Sequence, residues 1–117
     1  MTYEKVFDAL GDHTRRLVLE LLAAGPSSVE ELAARLPVSR PAVSQHLKRL
    51  LDAGLAKREV QGRRNVYSVE RSGIALLREY ADRMWNLALH RFREFAASND
   101  FETKKNDAAV SGEKDNE

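Results

Sequence analysis

The sequence predicts a mainly α-helical domain with one small β-hairpin, in the order α-α-α-α-β-β-α. Three features of the 117 residues carry that expectation. Four short stretches place apolar residues at helical spacing, with breakers between them. Two short alternating segments then flank Gln61-Gly62-Arg63-Arg64. A long apolar stripe follows, from Ile74 to Phe95.

Tyr3, Val6, Phe7 and Leu10 recur at helical spacing, so residues 2–10 read as a first helix, broken by Gly11-Asp12. Thr14 can cap a second, with Leu17, Val18, Leu21 and Leu22 on one face and Gly25-Pro26 as its stop. Ser27 and Ser28 each precede a glutamate by three residues, at Glu30 and Glu31. That doubled capping-box signal opens a third helix, whose buried face is Val29, Leu32, Ala33 and Leu36. After the turn Pro37-Val38, Ser39 caps a fourth helix with Pro41 in its first turn, where a missing N–H costs nothing. Val43, Leu47, Leu50 and Leu51 form its stripe and Gly54 stops it. Leu55–Val60 and Asn65–Val69 read as the hairpin. Ser72 caps a last helix running to about Ala97. The tail, residues 98–117, has only Phe101 and Val110 as large apolar side chains and is expected to be disordered. The organisation expected is one domain over 1–97, then that tail.

Composition bounds the chemistry. An apolar share of 43% supports a core, which this length keeps small, so a dimer interface would help to bury more. The absence of cysteine excludes disulfides, thiolate metal sites and cysteine nucleophiles. No apolar run approaches the ~20 residues of a membrane helix. Met1-Thr2-Tyr3-Glu4-Lys5 leads straight into amphipathic sequence, so no signal peptide is expected. The expected setting is the cytoplasm, away from membranes.

The net charge of +1 hides a pattern. Residues 1–39 are net −2, residues 40–64 net +5, residues 65–98 net +1 and residues 99–117 net −3. The basic block holds the fourth helix and the hairpin, and a polyanion contact belongs there. Two short helices joined by a tight turn make a helix-turn-helix, over 28–36 and 40–53. A basic hairpin after it gives the layout of a winged helix. On a wheel of about 100° per residue, the face opposite Val43, Leu47 and Leu50 presents Pro41, Gln45, Lys48 and Arg49. Ala42 and Ser44 flank that face, with Ser39 and Arg40 at its N-terminal edge. Glutamine pairs with adenine edges and arginine with guanine edges, while Lys48 and Arg49 suit phosphates. Gln61, Arg63 and Arg64 on the wing suit phosphates or a minor groove.

The stretch Ser39-Arg-Pro-Ala-Val-Ser-Gln-His-Leu-Lys-Arg-Leu-Leu-Asp-Ala-Gly-Leu55 resembles the recognition helix of ArsR/SmtB-type bacterial transcriptional repressors. Phe7-Asp-Ala-Leu-Gly-Asp-His-Thr-Arg-Arg-Leu-Val-Leu-Glu-Leu-Leu22 and the wing Gln61-Gly-Arg-Arg-Asn-Val-Tyr67 match in the same order. The likeness covers residues 3 to about 97. It implies a homodimer through the first and last helices, bound to double-stranded DNA at an operator with dyad symmetry. It also implies base readers at Arg40, Pro41, Ser44 and Gln45, in agreement with the wheel. Two departures stand out. His13 replaces the family's usual proline. The cysteine pairs of the metal-sensing branches are missing from Val29–Leu36, and Asp82 is followed by Met84 where another metal pattern has histidine.

No metal and no cofactor are therefore expected. His90 and Glu94, spaced i, i+4, supply only half of a four-ligand site. His46 reads as a boundary residue and His13 as a loop residue. Glu30-Glu31 suit a helix's first turn, and Arg15-Arg16 read equally as phosphate contacts or as a solvated helix start. An enzyme is not expected: there is no P-loop, G-x-S-x-G, H-E-x-x-H or Gly-rich dinucleotide turn. Two alternatives to a simple operator-binding repressor are a regulator answering to a ligand or partner protein, and a winged helix used only for protein contacts. The polar outer face of the fourth helix argues against the last. In the last helix Ile74, Leu77, Ala81, Met84, Trp85, Ala88, Phe92 and Phe95 fall at steps of 3, 4, 3, 1, 3, 4 and 3. That stripe exceeds what the first helix covers, so the expected dimer seam comprises Val6, Phe7, Leu10, Leu77, Ala81, Met84, Trp85, Ala88 and Phe92.

Overall fold

In the computed structural model, which describes residues 2–98, the expected element order is present. Helices α1 (Tyr3–Ala9), α2 (His13–Ala24), α3 (Val29–Arg35) and α4 (Arg40–Asp52) precede strands β1 (Ala56–Gln61) and β2 (Arg64–Val69), and helix α5 (Arg71–Ser98) closes the chain's described part. The chain falls into two units, one ending at Tyr80 and the next beginning at Ala81. Ser98 is the last residue of α5, and the rest of the expected tail lies outside the described residues.

Polar side chains start each of the first four helices. Thr2 Oγ1 accepts the Lys5 N–H, and Ser39 Oγ accepts the Ala42 N–H, both at 3.2 Å. Ser28 and Glu31 form a reciprocal capping box, which satisfies two N–H groups that α3 would otherwise leave bare. Two caps differ from expectation. Asp12, not Thr14, caps α2 by accepting the Arg15 N–H at 2.9 Å, which places His13 in the helix instead of a loop. Glu70, not Ser72, serves α5: its Oε2 accepts both the backbone N–H and the hydroxyl of Ser72. Carboxylates outcompete hydroxyls here because an ionised acceptor makes the stronger bond to a helix's first N–H groups.

The Arg15 N–H chiefly holds the Asp12 carboxyl below its ordinary range, with the nearby His46 adding to the effect. The Ser28 N–H does the same for Glu31, helped by Arg64, and the Ser72 N–H for Glu70. A carboxyl with a lowered native pKa stabilises the fold above its unfolded value and stops doing so as it is protonated. The melting temperature is therefore expected to be level above about pH 5 and to fall through and below the ordinary carboxylate range near about pH 4. Thermal melts across that range check this; a melting temperature that rises on acidification would contradict it.

The core lies in the first unit. Val6, Val18, Leu19, Leu22, Leu32, Val43, Leu47, Leu50 and Leu55 are buried together with Ala9, Ala53, Ala56 and Tyr67. Arg15 and Arg16 turn out to close α1. Arg15 Nη1 donates to the Ala9 and Asp8 carbonyls at 3.1 and 3.3 Å, and Arg16 Nη1 to the Leu10 carbonyl at 2.7 Å. They add donors to carbonyls at the end of α1, where the Asp8 carbonyl already accepts the Gly11 N–H at 3.1 Å.

Gly54 ends α4 with φ 77°, a conformation that glycine adopts without steric cost. Its N–H donates to the Leu51 carbonyl at 3.0 Å and the Leu55 N–H donates to the Leu50 carbonyl at 2.9 Å. This pair of bonds is a Schellman motif, and it turns the chain directly from α4 into β1. The strands pair antiparallel from Ala56↔Val69 to Gln61↔Arg64, so the turn is only Gly62-Arg63, two residues shorter than the expected connection. Beyond the hairpin, Ser27 pairs with Tyr67: the Ser27 N–H donates to the Tyr67 carbonyl at 2.9 Å and the Tyr67 N–H to the Ser27 carbonyl at 2.8 Å. That bridge fastens the wing to the start of α3.

Candidate nucleic-acid interface

Helix α4 separates its faces as the wheel requires. Val43, Leu47 and Leu50 are fully buried, while Pro41, Ser44, Gln45, Lys48 and Arg49 are exposed. Ser39 and Arg40 are exposed at the helix start and Ala42 is half-buried beside them. The burial of one stripe fixes the rotation of α4 about its axis, and so fixes which side chains face outward. His46 is half-buried at the boundary between the two faces.

The wing brings Gln61, Arg63 and Arg64 to its exposed end. Arg63, Arg64 and Asn65 line one cleft with Arg40, Glu30 and Val29. The start of α4, the start of α3 and the wing thus meet around three arginines. Two of those arginines stand beside carboxylates. Arg64 Nη2 is 3.2 Å from Glu31 Oε1, and Arg40 Nη1 is 4.0 Å from Glu30 Oε2. In the local sequence pattern Glu30 and Glu31 suit a helix's first turn, and nothing there connects them to the arginines. Asn65 was missed as well, although its position next to the Gly62-Arg63 turn is a usable signal. Arg49 lines a different cleft, with Lys5, Asp8 and Asp52 near the end of α4, apart from the three wing-side arginines.

The expected seam residues divide. Val6 is 0% exposed and belongs to the core of its own subunit, which corrects its place on an interface: a side chain with no accessible surface offers nothing to a partner. Leu10 and Leu77 are half-buried against the same core. Phe7 remains 39% exposed, and its ring meets Tyr80 edge-on at 4.8 Å. Tyr3 joins that cluster, 5.7 Å from Tyr80. Tyr80 lies off the apolar stripe of α5 and so escaped the periodicity argument. In the second unit Ala81, Met84, Trp85, Ala88 and Phe92 are all exposed, with Leu87 and Phe95 exposed too.

Among the described residues no group of three or more His, Cys, Asp or Glu side chains is placed to hold a metal ion. His90 Nε2 and Glu94 Oε2 lie 3.1 Å apart as an exposed pair within α5. Among the described residues no helix is long and apolar enough to cross a membrane.

The family described as "Bacterial regulatory protein, arsR family" matches residues 12–58, which run from the cap of α2 into β1. The HTH-type transcriptional regulator Rv2034 of Mycobacterium tuberculosis is 47% identical over 95 residues, covering 81% of this chain and 89% of that protein. The transcriptional repressor SdpR of Bacillus subtilis is 34% identical over 64 residues, 55% of this chain and 71% of its own. A solution structure from Mycobacterium bovis, the homodimeric winged helix-turn-helix DNA-binding domain of Mb0332, aligns with a TM-score of 0.58 at 29% identity. That alignment covers 68% of this chain and 77% of the other, which is described as a possible ArsR-family transcriptional regulator. Sequence and fold agree, and the chain belongs to the arsR family of bacterial regulatory proteins as a winged helix-turn-helix transcriptional regulator.

Proposed function

We propose that the chain acts as a homodimeric repressor that reads an operator with dyad symmetry and blocks transcription by occupying it. Residues 1–97 supply DNA binding and dimerisation in this reading. The observation that carries it is the exposed face of α4. Gln45 stands at its centre with Pro41 and Ser44 beside it, opposite a fully buried stripe and beside a wing of arginines. Arg40, Pro41, Ala42, Ser44 and Gln45 meet base edges in the major groove. Ser39, Lys48 and Arg49 on the helix and Gln61, Arg63 and Arg64 on the wing meet the backbone. The homodimer and the repression are supported by the Mycobacterium bovis domain and the Bacillus subtilis repressor described above. Dimerisation would set two recognition helices about 34 Å apart, one turn of DNA. The family consists of transcriptional regulators, so the chain is a regulator and not an enzyme.

Selection of bound sequences from a random DNA pool tests this. A consensus of two inverted half-sites is expected. Gln45→Ala should relax the preference at one position of each half-site and weaken specific binding by about 1–3 kcal/mol. Arg64→Ala should weaken binding evenly across sequences and flatten its salt dependence. A consensus without symmetry would overturn the dimeric reading, and equal, sequence-blind losses from both variants would remove Gln45 as a base reader.

A further inference from the structure

We propose that Glu31 is an intramolecular stand-in for a DNA phosphate, a latch that holds Arg64 in the free protein and must be displaced before the wing engages DNA. The inference rests on the reading that Arg64 meets the DNA backbone.

Glu31 Oε1 stands 3.2 Å from Arg64 Nη2 and also accepts the Ser28 N–H at 2.9 Å. The two partners are not equally free. Glu31 is pinned by the capping box of α3, which also uses the bond from its own N–H to Ser28 Oγ at 3.2 Å. Arg64 opens β2 beside the two-residue turn, paired with Gln61, and its guanidinium ends a long side chain that is 55% exposed. The carboxylate therefore keeps its place and the arginine is the group that moves. The environment keeps Glu31 ionised at neutral pH, chiefly through the Ser28 N–H and further through Arg64. An anion fixed by a backbone N–H with a guanidinium beside it reproduces the way a phosphate is held.

Exposure sets the strength of the latch. Both side chains are 55% exposed, so water and salt screen the pair and a duplex can displace it. Its cost to DNA binding is real all the same. Sequence-independent affinity grows with each phosphate neutralised and each counterion released. An arginine that arrives already paired contributes less, and the carboxylate it leaves behind repels the phosphate that takes its place. Glu30 stands in a similar relation to Arg40 at 4.0 Å, so two of the three arginines around the cleft carry an internal counter-ion. The latch sets DNA affinity below what these cations could deliver and keeps the regulator releasable.

Glu31→Gln is the test, because glutamine at the third helical position still completes a capping box while removing the charge. The Gln variant should bind a fixed operator duplex about threefold more tightly at low salt. Between about 50 and about 200 mM salt that gain should shrink toward nothing, because salt already loosens the pair in the unmodified protein. In an Arg64→Ala background Glu31→Gln should gain clearly less, since only the carboxylate's own repulsion of phosphate is then left to relieve. Unchanged or weaker binding by Glu31→Gln overturns the latch, as does an equal gain in the Arg64→Ala background, which would mark a general charge effect. If Arg64→Ala is harmless in both backgrounds, the latch falls together with the assignment of Arg64 to DNA. A loss from Arg64→Ala without a gain from Glu31→Gln leaves that assignment standing and removes the latch alone. Circular dichroism and melting of each variant check that α3 is intact.

Discussion

Gly73→Ala should lower stability by about 3 kcal/mol, a loss large beside the roughly 5–15 kcal/mol that holds a small domain together. Gly73 lies in the first turn of α5 and is buried. A Cβ built there runs into the carbonyl oxygen of Gly54, meets its carbonyl carbon at 2.6 Å and reaches Leu55 Cα at 3.1 Å. All three are backbone atoms, so no side chain can rotate away. Two effects oppose each other. Alanine is the better helix former by about 1 kcal/mol. Overpacking against a fixed backbone costs more, and the backbone in question is the Schellman turn that joins α4 to β1. The contact term wins, and the melting temperature should drop by roughly 10 °C or more. Gly25→Ala is the control: its φ of 162° is ordinary extended backbone and nothing lies within 4 Å of the added Cβ. That variant should stay within about 0.5 kcal/mol of the parent. Denaturant or thermal melts of the pair decide the matter, and equal stabilities would mean that α5 does not rest on this turn.

The same contact illustrates what sequence could and could not reveal. Gly54 was legible as a helix stop because its role is local: a glycine follows the last apolar residue of a periodic run. Gly73 was not, because its partner lies 19 positions earlier and nothing within α5 demands a glycine. The division holds throughout. Ser39 and the Ser28–Glu31 box were readable because a cap and its N–H are three residues apart. At α2 and α5 two capping residues competed within two positions, and the carboxylates Asp12 and Glu70 prevailed over the hydroxyls of Thr14 and Ser72. The outward face of α4 was readable because the buried stripe fixes its rotation. Val6 was misplaced because a helical period says which residues share a face, not whether that face meets its own core or another subunit. The Arg64–Glu31 pair and the Ser27–Tyr67 bridge, both of which tie the wing to α3, join residues far apart in the chain and leave no mark on local pattern.

Met84→Glu should abolish dimerisation and with it at least about a hundredfold of operator affinity, although it changes no residue of the recognition helix or wing. In the second unit Met84 is 43% exposed, Trp85 and Phe92 are each 66% exposed and Phe95 is 61% exposed. The three aromatic rings alone leave on the order of 400 Å² uncovered on each subunit, at ~150–250 Å² for a whole side chain. Covering that surface on two subunits supplies on the order of 15–20 kcal/mol at about 25 cal/mol per Å². Association and side-chain ordering cost about 4–15 kcal/mol or more, so the apolar row is large enough to hold a dimer together without help from Val6. In the proposed dimer, with Met84 near the two-fold axis, a carboxylate there would meet its own copy. Two like charges in an apolar seam lose hydration and repel each other, and neither gains a partner. The fold should survive, since Met84 is no part of the buried core. Each monomer then binds one half-site by itself and forfeits the effective concentration that linked half-sites provide. Light scattering or sedimentation of the variant, run beside an operator titration and a helical circular-dichroism spectrum, separates the possibilities. A folded monomer with collapsed affinity is the expected outcome. A Met84→Glu protein that remains dimeric and binds as tightly as the parent would place the seam away from this row.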